Sequence, residues 1–369
     1  MKVTVPHMGN LYIAIEALIY EMGHDPIIPP PCSKKTLDLG TKYSPESVCL
    51  PMKLNIGNFL EAVELGAEVI IMAGGNGPCR LGYYAPVQMA ILEELGQSVE
   101  MIVLEPPKGN LRHLISQLSR LFAKKGFRSF IKGCQIAWEK LKAVEELERA
   151  AFWVRPREKR KGEVGRQLHL ALNNLRTAAL LKDIKRVKNE QIAEILSLAE
   201  LNIEPLKIGI VGEIYTVLEP FVNLKLEERL GNLGVEVERT IWLEDWVKKH
   251  LFLASLNLYN GSDLVKKTEG YLRGFVGGHG LESVAVTIMF AEKNIDGVIH
   301  ILPFTCMPEI VAQSVLPNVS RDYDLPVMSL VVDEHTGEAG FQTRLEAFVD
   351  LLERKQREKT NEKKSVSWC

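Results

Sequence analysis

The chain lacks the short signatures by which many enzymes are read. Nothing in it matches GxxxxGK[ST], so it carries no Walker-type nucleotide loop of its own. There is no GxSxG elbow and no HExxH pair. No CxxC knuckle occurs either, because the cysteines are scattered over the whole length. Excess charge is missing too: the net charge is -2 at pH 7, which leaves no basic field for nucleic acid and no acidic tail. The start, Met1-Lys2-Val3-Thr4-Val5-Pro6, reads as a strand rather than a signal peptide, and no uninterrupted apolar stretch reaches membrane-crossing length. The expectation is a cytoplasmic protein with no membrane partner.

What is present is ordinary for a globular protein, 46% hydrophobic and 25% charged residues. One core stops growing at about 250–300 residues, so 369 residues predict more than one domain. Strand and helix patterns alternate at first: strand 2–5, helix 11–22, strand 26–31, helix 53–65, a continuous apolar run at 67–73, helix 84–95 and strand 99–104. Helical periodicity alone fills about 110–201. The alternation resumes at Lys207, with strands over 208–213, 235–242, 296–302 and 326–333. Helices are read over 221–233 and 281–293, a broken one over 246–268, and a closing one over 341–355 before a frayed charged tail. The fold expected is α/β: two Rossmann-like lobes with parallel sheets (1–108 and 205–369) joined by a helical insertion, 109–204. In such sheets ligands sit at the carboxyl ends of the strands.

Three cysteines fall in tight turns at those ends. They are Cys49 in Glu46-Ser47-Val48-Cys49-Leu50-Pro51-Met52-Lys53, Cys79 in Gly74-Gly75-Asn76-Gly77-Pro78-Cys79-Arg80-Leu81-Gly82, and Cys306 in Pro303-Phe304-Thr305-Cys306-Met307-Pro308. In a reducing compartment such residues serve as thiols or metal ligands rather than disulfides. Glycine and proline beside them suit iron–sulfur ligand loops, which need close backbone approach and fixed turns. The turns are therefore expected to converge on one iron–sulfur cluster, with Cys49, Cys79 and Cys306 as its ligands. Cys32, after Pro29-Pro30-Pro31, is a candidate fourth ligand. The alternative fate of each is a small buried hydrophobe, and zinc is the competing metal. Cys134 has the helical spacing of a packing residue, and Cys369 is terminal.

Other candidates are less specific. Gly277-Gly278-His279-Gly280 is a plain turn or an anion-binding helix start. Glu213 follows a strand end, and Asp333-Glu334-His335-Thr336-Gly337-Glu338 is either a capping loop or part of a cleft. Arg155-Pro156-Arg157-Glu158-Lys159-Arg160-Lys161 reads as a solvated helix break or as a docking surface for an anionic group, a nucleotide phosphate or an acidic protein. No catalytic residue is assignable.

At Val5-Pro6-His7-Met8-Gly9-Asn10, the Cys49 motif, Pro78-Cys79-Arg80-Leu81-Gly82-Tyr83-Tyr84, Gly277-Gly278-His279-Gly280 with Glu282, and Asp333 to Gly337 with Arg344-Leu345-Glu346-Ala347-Phe348, the chain resembles a known family. This is the 2-hydroxyacyl-CoA dehydratase D-component superfamily, in its CoA-substrate-specific enzyme activase-related ("CoA protein activase") branch. The resemblance implies two Rossmann-like lobes with a [4Fe-4S] or larger cluster between them, held by three cysteines. It implies an ATP-dependent activase or reductase as partner, injecting one low-potential electron, and a 2-hydroxyacyl-CoA or other small molecule as substrate. A homo- or heterodimer fits the same family. No CoA-binding signature is visible, so a non-catalytic cluster carrier or accessory protein that docks on an activase is the alternative.

Overall fold

The computed structural model describes residues 1–75, 79–104, 119, 121, 125–249 and 261–366. These form two four-stranded sheets, parallel throughout, with 14 α-helices around them.

The first sheet contains β1 (Lys2–Thr4), β2 (Asp25–Pro26), β3 (Val69–Ala73) and β4 (Glu100–Leu104), in the order β2-β1-β3-β4. Its helices are α1 (Tyr12–Glu21), α2 (Lys34–Tyr43), α3 (Leu50–Glu64) and α4 (Tyr84–Glu94). The second sheet contains β5 (Leu206–Gly212), β6 (Val235–Arg239), β7 (Gly297–Pro303) and β8 (Val327–Val332), in the order β6-β5-β7-β8. The two sheets thus share one doubly wound topology, and each reverses direction between its first and third strands. That switch opens a crevice beyond the carboxyl ends. β7 is buried at every position, as a strand covered on both faces requires.

Between the sheets in sequence the chain forms α5 (Gly126–Val154), α6 (Glu163–Thr177) and α7 (Leu181–Ser197). They share a core with Ile13 of α1. Glu148 of α5 accepts from Asn10 at 2.7 Å and from Arg239 of β6 at 2.7 Å, so one carboxylate ties the helices to both sheets. The second lobe adds α8 (Ile214–Leu218), α9 (Leu226–Asn232), α10 (Leu243–Val247), α11 (Ser262–Lys267), α12 (Gly280–Glu292), α13 (Met307–Asp322) and α14 (Glu338–Val366).

Several expected bounds are corrected. Strand 26–31 shrinks to Asp25–Pro26, because Pro29, Pro30 and Pro31 have no N–H to give a ladder. Helix α2, for which no element is expected, is set by a Ser33–Thr36 capping box. Helix 221–233 shortens to α9 (Leu226–Asn232), because Leu224 and Lys225 sit at positive φ just before it, and α8 is a further short helix that no expectation covers. The closing helix runs on to Val366 through the segment read as frayed. Part of the broken 246–268 helix, Asn76–Pro78 of the Cys79 motif, and Cys369 lie outside the described residues. Among the described residues no helix is long and apolar enough to cross a membrane.

Candidate cysteine site between the lobes

Each of the three turn cysteines stands at a helix N-cap: Cys49 before α3, Cys306 before α13, and Cys79 before the short turn Arg80–Tyr83 that leads into α4. Proline follows two residues after Cys49 and Cys306, in the first helical turn, where a missing N–H costs nothing. Cys79 and Cys306 occupy equivalent places, after the third strand of each sheet. By the same equivalence His279, the N-cap of α12, matches Cys49.

The three turns are drawn together by one guanidinium. Arg80 donates through Nη1 to the Ser47 carbonyl at 3.0 Å. Through Nη2 it donates to the Thr305 carbonyl at 2.5 Å and to Thr305 Oγ1 at 2.9 Å. Thr305 Oγ1 in turn donates to the Ser47 carbonyl at 3.3 Å. Ser47, Arg80 and Thr305 flank Cys49, Cys79 and Cys306, so the seam joins thiol-bearing turns from both lobes. Gly82 allows the Cys79 turn to close, since a Cβ there would lie 2.5 Å from the Gly75 carbonyl oxygen. The Gly277–Gly280 turn reaches the same place: a Cβ on Gly278 would stand 3.2 Å from Pro308 and 3.9 Å from Cys79 Sγ.

The electrostatics are shared as well. Burial pushes the Cys49 thiol up to about 11 and raises Cys79 and Cys306 too. The Glu213 charge acts on all three in the same direction, and Cys49 acts on Cys306. Opposing this, the N–H groups of Met52, Leu81 and Glu309 favour the thiolates, as helix starts do. Tyr84, buried on α4, hydrogen-bonds Cys49 Sγ through its hydroxyl. Glu213, just after β5, caps α8 by accepting from Tyr215 N at 3.0 Å and Thr216 N at 2.8 Å. Burial of its carboxyl raises its pKa, and the nearby His279 works the other way.

Behind Cys306 lies a polar relay of buried Glu309, His300 and Ser283 that ends at half-buried Ser329. Glu309 Oε2 accepts from Ser283 Oγ at 2.8 Å and pairs with His300 Nε2 at 2.8 Å. His300 Nδ1 meets Ser329 Oγ at 3.2 Å, and Glu309 Oε1 has no partner among the described residues. Tyr84, Arg80, Glu309 and His300 were not among the sequence candidates. The Asp333–Glu338 loop divides its roles. Asp333 Oδ1 accepts from His335 N and Thr336 Oγ1 within the turn, both at 2.9 Å, while Glu334 pairs with buried Lys53 of α3 across the lobes.

Cys32 stands apart from the Arg80 seam. Its Sγ lies 3.6 Å from Asn58 Nδ2 and 3.9 Å from Tyr215 OH, and burial raises its pKa strongly. Cys134 is a half-buried residue of α5, its thiol pushed up to about 11 by burial.

Among the described residues, no three His, Cys, Asp or Glu side chains are gathered as one metal ion requires. A single zinc ion would need its thiolates about 2.3 Å from one centre. A cluster instead takes one thiolate on each of several irons, so its ligands stand further apart. The residues that would hold such a cluster are Cys49, Cys79 and Cys306, each at a helix start. No family model matches the chain, and no curated protein matches it.

Proposed function

We propose that the chain is an iron–sulfur protein of the 2-hydroxyacyl-CoA dehydratase type, with Cys49, Cys79 and Cys306 as ligands of a [4Fe-4S] or larger cluster between its lobes. The observation that carries this reading is the Arg80 seam, which gathers thiol turns from both lobes at one place. When bound, the cluster would supply low-potential one-electron chemistry. The chain's own residues then have definable tasks. Tyr84 and the helix-start N–H groups hold the thiolates, while Glu213 and His279 can keep or move a proton beside them. Tyr83, Phe304 and Phe275 are exposed apolar residues in or near these turns. They offer a collar on which an ATP-dependent activase could dock to deliver an electron toward a 2-hydroxyacyl-CoA or related small molecule.

Anaerobic purification with iron and sulfide analysis tests the proposal. The expected product is brown, with about four irons per chain and a paramagnetic resonance signal on reduction. Cys49→Ser, Cys79→Ser and Cys306→Ser should each lower the iron content sharply, whereas Cys32→Ser and Cys134→Ser should leave it near the wild-type value. A colourless protein holding neither iron nor sulfide sinks the idea.

A further inference from the structure

The basic run 155–161 resolves into unlike parts. Arg157 is structural: it pairs with Glu236 at 2.7 Å and donates to the Trp153 carbonyl at 2.7 Å. Lys159 reaches the Ser197 carbonyl at 3.1 Å, and Arg160 faces Glu163 at 3.6 Å. Arg155 does neither. It is only 7% exposed, yet its guanidinium makes no hydrogen bond or ion pair with any described residue. It lines a cleft of about 790 Å³ between α6 and α9, together with Lys161, Arg166, His169, Leu170 and Glu228. Burying a cation without a hydrogen-bonded anion is costly, and Glu228, Glu227 and Glu158 act on Arg155 only at a distance, so its donors are left open to a ligand in the cleft.

The cleft is built to hold this arginine. A Cβ on Gly231 of α9 would lie 2.6 Å from Arg155 Cδ, so the glycine leaves room for the arginine stem. Burial lowers the Arg155 pKa, and Glu228, Glu227 and Glu158 oppose that without contacting it. The start of α6 is not the attraction, because Glu158 already accepts from Gly162 N at 2.8 Å and Val164 N at 3.0 Å. The cleft lies at the end of α9 that leads into the amino end of edge strand β6, whereas Cys306 follows the carboxyl end of the interior strand β7.

The charge count selects the ligand. Glu227 is paired with Arg239 at 3.0 Å and Glu158 is held by the N–H groups at the start of α6, so among the lining residues Arg155, Lys161 and Arg166 against Glu228 leave two positive charges, which match a phosphate monoester of about −1.5 to −2 rather than a carboxylate. Guanidinium forks suit that geometry. The volume far exceeds one inorganic anion and falls in the range of small-molecule sites. We propose that this cleft binds a small organic phosphate of nucleotide size, its phosphate held by Arg155, Arg166 and Lys161 and its organic part against Leu170 and His169.

Calorimetric titration of the full chain with inorganic phosphate, pyrophosphate, AMP and ADP tests this. AMP or ADP should bind saturably and about tenfold or more tighter than inorganic phosphate. Arg155→Met and Arg166→Glu should each weaken that binding by about tenfold or more. Arg166 is exposed, so its variant is expected to keep its far-ultraviolet spectrum and decides the matter even if the Arg155 variant misfolds. The proposal is overturned by any of four results: no binding at millimolar concentration, equal affinity for phosphate and nucleotide, nucleotide binding unchanged by Arg166→Glu, or polyglutamate displacing the nucleotide at comparable charge concentration.

Discussion

Arg80 concentrates much of the site's organisation in one side chain. Its three hydrogen bonds run to Ser47 and Thr305, which lie on different lobes. A planar fork can satisfy acceptors in two directions at once, and an ammonium on a flexible stem cannot reproduce that geometry. Arg80→Lys should therefore cost about 1–2 kcal/mol, moderated by solvent at this exposed position, and lower Tm by a few degrees. It should also speed the loss of iron to a chelator. An unchanged Tm together with unchanged iron retention would show that the seam does not hold the turns. The turns of Cys79 and Cys306 could be placed after strands because glycine or proline beside a thiol there is a local pattern, whereas Cys49 lies between α2 and α3 rather than at a strand end. Arg80 was visible only as part of a motif. Tyr84, 35 residues from Cys49, and His300, paired with Glu309, act through contacts that only the folded sheet creates. Lys53 belongs to the Cys49 motif, but its partner Glu334 comes from the far end of the chain, and no spacing rule connects them.

Among the elements, the strands and longest helices follow hydrophobic period, and that is why the alternation of both lobes could be read directly. The elements that escaped or shifted are ones decided by backbone chemistry: the proline-truncated β2, the Ser33-capped α2, and α9, whose start is delayed by Leu224 and Lys225 at positive φ. Helix α5 shows a further kind of hidden information, since its sequence gives an amphipathic helix but not the cost of what it buries. Glu145 is buried there, with Oε1 accepting from Glu244 N at 3.0 Å and Oε2 lacking a partner among the described residues. Burial, with help from Glu148, raises its pKa from 4.5 to about 7. The folded state therefore binds more protons than the unfolded state between those values, and stability falls as pH rises from about 4.5 to about 7. At full ionisation the penalty is on the order of 3 kcal/mol. Glu145→Gln keeps the acceptor and removes the charge. It should flatten the Tm–pH curve between pH 5 and 7 and raise Tm at pH 7.5. A variant whose curve overlays the wild type would show that Glu145 ionises freely in the fold.

At the scale of the molecule, the two sheets repeat one strand order, yet the protein is not two independent halves. The largest apolar cluster takes Leu37, Leu50 and Leu54 from the first lobe, Phe152 from α5, and Ile208, Ile299 and Leu330 from the second sheet. Polar ties cross the same boundary. Gly9 N donates to Glu219 Oε2 at 2.8 Å, and Lys53 pairs with Glu334. Inter-domain contacts inside one chain are usually smaller and more polar than a core, and lobes joined that way move and melt separately. A continuous apolar core across the junction reverses the expectation: removing the second lobe would expose Leu50 and Leu54 to water, and removing the first would expose the apolar residues of the second sheet that pack against them. The lobes should accordingly melt in one transition, with far-ultraviolet and tryptophan signals coinciding and the calorimetric enthalpy matching the van't Hoff value. Leu54→Ala should lower that single transition by an amount equivalent to about 2–5 kcal/mol without splitting it. Two resolved transitions in the wild type, or a Leu54→Ala variant that melts one lobe early, would mean that the junction is a docking surface. A site whose ligands come from both sides would then be assembled only when the lobes meet, rather than being held ready by the fold.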